Sequence, residues 1–411
     1  MAFVTHIECT VCGRRHEAGG LLTVCVQCGQ MLAVRYDLAR VALSVSKDAL
    51  RQRSPGMYRF RELLPLEDTE EPVTLGEGGT PLLPLPRLGA HLGLRHLWAK
   101  DEGQNPTGSF KARGLGMAVT KAKTLGVTGL MIPSAGNAGG AAAVYGARAV
   151  LPVAVVVPRG TADAAIAEAI LAGAYVFTVE GSIATAGKLI AAVAPRLGWF
   201  DLATLKEPYR LEGKKTMGLE LAEQLEWETP DLLLYPTGGG TGLVGIWKAY
   251  EELGAMGWIK TAQPRFIAVQ AEGCAPVVKA WTEGAETTAL WENPVTHAPG
   301  LRVPGPFAGR QILRILRETG GHARAVSEEE IVEAQRLLAR LEGIWTAPEA
   351  AAALAALIQM KDQQQVDGGT RVVMVLTGAG IKNAPPPLPP PVHLDGDEVQ
   401  VLARVKRAIG A

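Results

Sequence analysis

One lysine stands out by the company it keeps. The stretch Lys100-Asp-Glu-Gly-Gln-Asn-Pro-Thr-Gly-Ser-Phe-Lys111-Ala-Arg-Gly114 is a Gly/Asn/Pro-rich loop that delivers Lys111 to what should be a helix start. Asn105-Pro106-Thr107-Gly108-Ser109 is turn and N-cap chemistry, which predicts a helix beginning near Ser109. A cation in a first helical turn opposes the macrodipole, so the position favours a neutral amine, and desolvation pushes the same way. A neutral amine is what attack on a carbonyl needs. For this stretch alone, a capped helix with a surface lysine is the plain alternative.

Three further loops stand where a parallel sheet presents ligands, at the carboxyl ends of strand-like runs. Pro133-Ser134-Ala-Gly-Asn137-Ala-Gly-Gly140 opens an Ala-rich helix, its small residues allow close approach, and Asn137 offers an amide or simply a cap. In Thr237-Gly238-Gly239-Gly240-Thr241-Gly242, successive backbone N–H groups at a helix start form an anion nest suited to a phosphate. Leu376-Thr377-Gly-Ala-Gly380 ends a run with a hydroxyl able to meet a heteroaromatic nitrogen, or is only a turn. Gly240-Thr-Gly242-Leu-Val-Gly245 also matches the dinucleotide fingerprint, with Glu272 as a ribose partner, yet that reading leaves Lys111, Asn137 and Thr377 without work.

Cys9-Thr-Val-Cys12 and Cys25-Val-Gln-Cys28 read as a zinc ribbon, because paired Cys-x-x-Cys turns can set four thiolates tetrahedrally around one structural metal. A metal-free vestige is the alternative. Nucleic-acid binding by the ribbon finds little support in the scattered Arg14, Arg15 and Arg35. Cys274 reads as an ordinary thiol.

The elements that must position these groups alternate. Strand-like runs at 94–99, 130–132, 153–157, 175–179, 232–235, 266–270 and 372–376 are interleaved with helical stretches at 137–149, 162–171, 182–197, 243–253, 328–341 and 347–360. That pattern predicts an α/β fold of two open, mostly parallel sheets covered by helices, beside the small ribbon. Residues 41–75 read as a charged helical connection, and Pro385–Pro391 as an extended spacer before a helix near 399–409. Lys+Arg and Asp+Glu are both 41, so no overall field favours nucleic acid or an anionic membrane. No secretory leader and no apolar run of about 18 residues is evident, which predicts a cytoplasmic protein.

Taken together, the Lys111 loop, Ser134-Ala-Gly-Asn137, Gly238–Gly242 and Thr377-Gly378 resemble the fold type II (tryptophan-synthase-β-like) pyridoxal-phosphate enzymes. Thr80-Pro-Leu, Arg210-Leu-Glu-Gly-Lys-Lys-Thr216 and Glu342-Gly-Ile-Trp-Thr-Ala-Pro-Glu349 are similar to segments of the threonine synthases. The likeness spans roughly 75–384. It implies that Lys111 is the Schiff-base lysine and proton carrier, that Asn137 holds the ring hydroxyl, and that Gly238, Gly239, Gly240, Thr241 and Gly242 hold the cofactor phosphate. Thr377 would meet the pyridine nitrogen. Lys100, Ser134 and Arg210 are the candidates for the substrate's phosphate, Arg210 in competition with a structural ion pair to Glu207 or Glu212. The activity implied is conversion of O-phospho-L-homoserine and water to threonine and phosphate, by a homodimer. The division implied is 1–40 ribbon, 41–95 with 205–384 large cofactor-binding domain, 96–204 small domain and 385–411 tail. Ala112 and Glu207-Pro208 depart from the family's Asp and Asn-Pro. They keep open a related β-replacement or elimination enzyme, such as cysteate synthase or threonine/serine ammonia-lyase, and a silent ligand-binding paralogue.

Overall fold

The computed structural model describes residues 3–260, 263–386, 388, 390, 391, 393 and 398–409; Pro387 and Pro389 of the expected spacer lie outside them. The larger sheet runs, in spatial order, His322–Val326, Arg265–Ala271, Leu232–Pro236, Arg371–Leu376, His96–Asp101 and Leu82–Pro84. All neighbours are parallel except the last pair. The smaller sheet, Tyr175–Val179, Val153–Pro158, Leu130–Pro133 and Phe200–Asp201, is wholly parallel.

Alternation along the strands explains the layers, because successive side chains leave a sheet on opposite faces. Leu232 and Leu234 pack against Ala-rich Pro348–Asp362, whereas Leu233 and Tyr235 join the core under Thr241–Ala255 and Tyr209–Gln224. One boundary expected from the sequence is corrected. The smaller unit is expected to begin at residue 96, but His96–Asp101 ladders with Arg371–Leu376 in the larger sheet, so the crossing lies beyond Asp101. A strand's own residues show that it is a strand, not which distant strand it will pair with.

The helix carrying Arg210, Tyr209–Gln224, crosses two neighbours at glycines. A Cβ on Gly213 would stand 2.1 Å from the Arg113 carbonyl of the lysine helix, Lys111–Thr124. A Cβ on Gly245 of the helix Thr241–Ala255 would stand 2.8 Å from Lys214 Cβ. Glycine inside a helix costs about 1 kcal/mol against alanine, and here it lets three helices touch backbone to backbone. That contact gathers Lys111, Arg210 and the glycine loop.

Val4–Cys9, Arg15–His16 and Leu32–Tyr36 form a small antiparallel sheet. It is seated on the main body: Tyr36 donates to Glu212 Oε2 at 2.8 Å, and Lys215 and Lys248 lie 4.0 and 4.9 Å from its ring centroid. Residues 41–75 hold only short helices, Lys47–Arg51 and Met57–Leu63 among them. The terminal helix spans Glu398–Ile409. Among the described residues, no helix is long and apolar enough to cross a membrane.

Candidate active site

Lys111 opens its helix with Phe110 at the N-cap position. The loop before it is zipped to the end of the strand Arg371–Leu376: Phe110 N–H donates to Thr377 O at 3.0 Å and Ala379 N–H to Gly108 O at 2.9 Å. Lys111 and Thr377 are therefore brought together by backbone. Beneath them lies a buried ion cluster. Arg113 bridges Glu102 and Glu220, Lys100 Nζ donates to Glu220 at 2.7 Å, and Asn105 Nδ2 donates to Glu102 at 2.9 Å.

That cluster corrects one assignment. Lys100 is fully buried, and its ammonium is spent on Glu220, Thr80 O and Gln224, all within 2.9 Å, which leaves nothing for a substrate. Its strand position, on the inward face of the larger sheet, dictates this. Ser134 is also occupied locally, its Oγ accepting from Gly139 N–H at 2.9 Å.

The other expected groups remain free. Asn137 heads the helix Asn137–Ala149, and neither its amide nor the Thr377 hydroxyl has a hydrogen-bond partner among the described residues. The amides of Gly238, Gly239, Gly240, Thr241 and Gly242 likewise find no acceptor there. The loop must be glycine: Gly240 has φ +81°, and a Cβ on Gly238 would stand 2.2 Å from the Gly300 carbonyl. Such a cradle of unengaged N–H groups at a helix start suits a phosphate.

The electrostatics suit a carbonyl-reactive amine. Burial, reinforced by Arg210 and opposed by Glu349, lowers the Lys111 amine to about 7. Its Nζ lies 4.0 Å from the Phe110 ring centroid, with Lys214 Nζ at 4.3 Å from the same ring. Lys214 also donates to the Phe110 carbonyl, and burial followed by Lys111 and Arg210 holds its amine well below the usual lysine range. Glu207 turns back to cap its own helix, accepting from Tyr209 N–H at 2.7 Å and from Arg210 N–H at 3.0 Å. Arg210 donates to Leu202 O at 2.6 Å while its buried Nε has no partner. No side-chain ion pair of Arg210 with Glu207 or Glu212 is present among the described residues, since Glu212 pairs with Lys215 and Lys248.

Sequence reasoning missed Lys214 and Glu349. Lys214 was within reach, since it stands one helical turn after Arg210 and so on the same face. An acid after a helix-starting proline, as at Glu349, reads only as ordinary dipole compensation.

The pyridoxal-phosphate dependent enzyme family matches residues 73–378. Threonine synthase of Methanosarcina acetivorans is 38% identical over 379 residues, 92% of each chain. That of Methanocaldococcus jannaschii is 36% identical over 377 residues, again 92% of each. The chain belongs to the pyridoxal-phosphate dependent enzymes, in the threonine synthase family. Among solved structures, a threonine deaminase from T.th. superposes with a TM-score of 0.63 at 26% identity, covering 76% of this chain and 94% of that one. Maize serine racemase also reaches 0.63, at 19% identity, covering 80% and 92%. The fold is thus that of fold type II, and the dinucleotide reading falls.

Proposed function

We propose that this threonine synthase family member converts O-phospho-L-homoserine and water to L-threonine and phosphate, with pyridoxal phosphate bound between the two sheets. The observation that carries the reading is Arg210, a buried guanidinium beside Lys111 whose Nε has no partner. One phosphate occupies the nest. A second anion would satisfy Arg210, and a phosphorylated amino acid supplies it.

Lys111 would hold the cofactor's carbonyl carbon, Gly238–Gly242 its phosphate, Asn137 its ring hydroxyl and Thr377 its ring nitrogen. The bound cofactor supplies an electron sink for a carbanion next to the amino group, which a hydroxyl partner tempers because it does not enforce a pyridinium. Lys111, as a free amine, would take the protons at Cα and then Cβ, deliver one to Cγ where the phosphate has left and, after water has added its hydroxyl at Cβ and lost a proton, return one to Cα. Arg210 offers its unpaired Nε to the substrate phosphate and remains on that phosphate as it leaves. Glu207 does not repel the anion, because both its oxygens face helix N–H groups. The test is incubation of purified protein with O-phosphohomoserine: phosphate and threonine should appear together. Ammonia and keto acid from threonine or serine, without that product pair, would transfer the site to the lyases.

Arg210→Ala should keep the cofactor's visible absorbance, since the nest is untouched, and lose roughly 30- to 1,000-fold in kcat/KM, the worth of a charge-assisted contact of about 2–4 kcal/mol. Near-normal efficiency would place the substrate phosphate elsewhere.

The cysteine cluster supports one structural zinc. The Sγ atoms of Cys9, Cys12, Cys25 and Cys28 all lie within 4.8 Å of one another, with Cys9 to Cys28 at 3.4 Å and Cys12 to Cys25 at 3.6 Å. Edges of that length suit a tetrahedron with Zn–S of about 2.3 Å. Metal analysis of freshly reduced protein should return one zinc per chain. Retention of the native thermal transition after complete chelation would deny it a structural role. The assembly this reading implies is a cytoplasmic homodimer, with neither nucleic acid nor membrane as partner; the balanced charge, 41 against 41, agrees with the last.

A further inference from the structure

Glu349 is a buried carboxyl, 7% exposed, in the first turn of the helix Pro348–Asp362. Its Oε1 accepts from Gly300 N–H at 2.6 Å, whereas its Oε2 is buried without a partner. Gly300 is the residue whose carbonyl underlies Gly238 of the nest. The same helix start is tied to the other arm of the site: Ala347 N–H and Thr346 Oγ1 both donate to Gly378 O at 2.9 Å. Glu349 thus stands between the phosphate nest and the Thr377 loop, close enough to Lys111 for each charge to act on the other.

The remaining titratable groups facing Lys111 come from the helix Tyr209–Gln224: the Arg210 guanidinium, and the Lys214 amine, which burial holds well below its usual range. Glu349 in turn is met by Lys111, by Gly300 N–H and by its own backbone N–H. When Lys111 lifts a proton from a substrate carbon, the C–H pair stays on carbon and the lysine becomes an ammonium, in a cleft where Arg210 opposes that charge. A buried carboxylate oxygen with no donor, and an ammonium with no acceptor among the described residues, each lack what the other provides.

We propose that Glu349 is a positioning residue for the lysine proton, its free Oε2 accepting from the Lys111 ammonium while that proton is held and releasing the amine when it returns to carbon. The carboxylate is neither consumed nor protonated in the cycle. The inference deepens the cofactor-lysine reading above and rests on it. Burial raises the Glu349 carboxyl and lowers the Lys111 amine, and each partner opposes the other's shift.

Glu349→Gln keeps an acceptor for Gly300 N–H and the side-chain volume while removing the charge. Cofactor-free protein mixed with pyridoxal phosphate across a pH series reports the neutral lysine, since only the free amine captures the carbonyl. The wild-type rate should rise with pH through a midpoint at about 7. In Glu349→Gln the ammonium loses its counter-charge, so the midpoint should fall by about one unit or more, with the melting temperature little changed. Should that variant fail to fold, Glu349→Asp keeps the charge further from the amine and should lower the midpoint part of the way. An unchanged midpoint in a folded variant, with capture on Lys111 intact, overturns the role of Glu349 alone; absence of wild-type capture on Lys111 overturns the cofactor reading with it.

Discussion

Lys111→Ala should leave a folded protein that forms no borohydride-stable bond to pyridoxal phosphate and turns over O-phosphohomoserine at least about 1,000-fold more slowly. The size follows from losing a positioned acid–base group, typically about 100- to 10,000-fold, together with the covalent hold on the cofactor. Folding should survive because Lys111 is part-exposed at a helix start and its amine donates no hydrogen bond among the described residues, while Arg210 is relieved of a nearby like charge. Peptide mass mapping after borohydride treatment of the wild type checks the assignment, and cofactor fixed on Lys214 instead would reassign the nucleophile.

The second large effect is on stability. Arg113 is fully buried and donates to both oxygens of Glu102, at 2.6 and 2.8 Å, and to both of Glu220, at 2.7 Å each. Arg113→Met fills much of the volume and strands two buried carboxylates with Lys100 as the remaining cation. Breaking a buried pair in this way costs about 3–5 kcal/mol. The pH dependence gives a signature. Burial alone would raise the Glu220 carboxyl, but Arg113 and Lys100 outweigh it and hold it far below its usual 4.5. In the wild type, therefore, the cluster's contribution is present above about that pH and is lost on acidification. Without Arg113 the carboxylates are pushed up instead, so the deficit should be largest at neutral pH and narrow below it. Urea unfolding at neutral and acidic pH measures both; a deficit that is small or indifferent to pH would mean that water reaches the cluster. Because Asn105 and Glu102 belong to it, the variant should also loosen the loop that aims Lys111.

Glu207 shows how the fold resolves a doubt the sequence raises. By composition alone an acid three residues before Arg210 threatens an anion site. In the structure it becomes an N-terminal cap, with burial raising its carboxyl to about 7 against the pull of Arg210 and the helix amides. Glu207, at the place of the family's Asn, thus caps the helix and adds a titrating group whose oxygens face the helix amides.

What the chain determined by itself is whatever depends on local geometry: the loop that puts Lys111 in a first helical turn, the glycines of Gly238–Gly242 that bare their amides, the Cys-x-x-Cys turns, and the alternation that makes two parallel sheets. Each is written in neighbouring residues, because turns, caps and strand faces are set within a few positions. What only the tertiary structure decided is which charges are spent and which are left. Lys100, Arg113 and Arg210 are all cations near the same loops, yet contacts with Glu220 and Glu102, far apart in sequence from one another, neutralise the first two and leave Arg210 Nε without a partner. Lys214 and Glu349 join the site for the same reason: the helix contact at Gly213 brings Lys214 to Lys111, and the bonds from Gly300 N–H to Glu349 and from Thr346 to Gly378 O hold the start of Glu349's helix beside the site. Coulombic pairing depends on distance in space and on exclusion of water, and neither is encoded in any short stretch of chain.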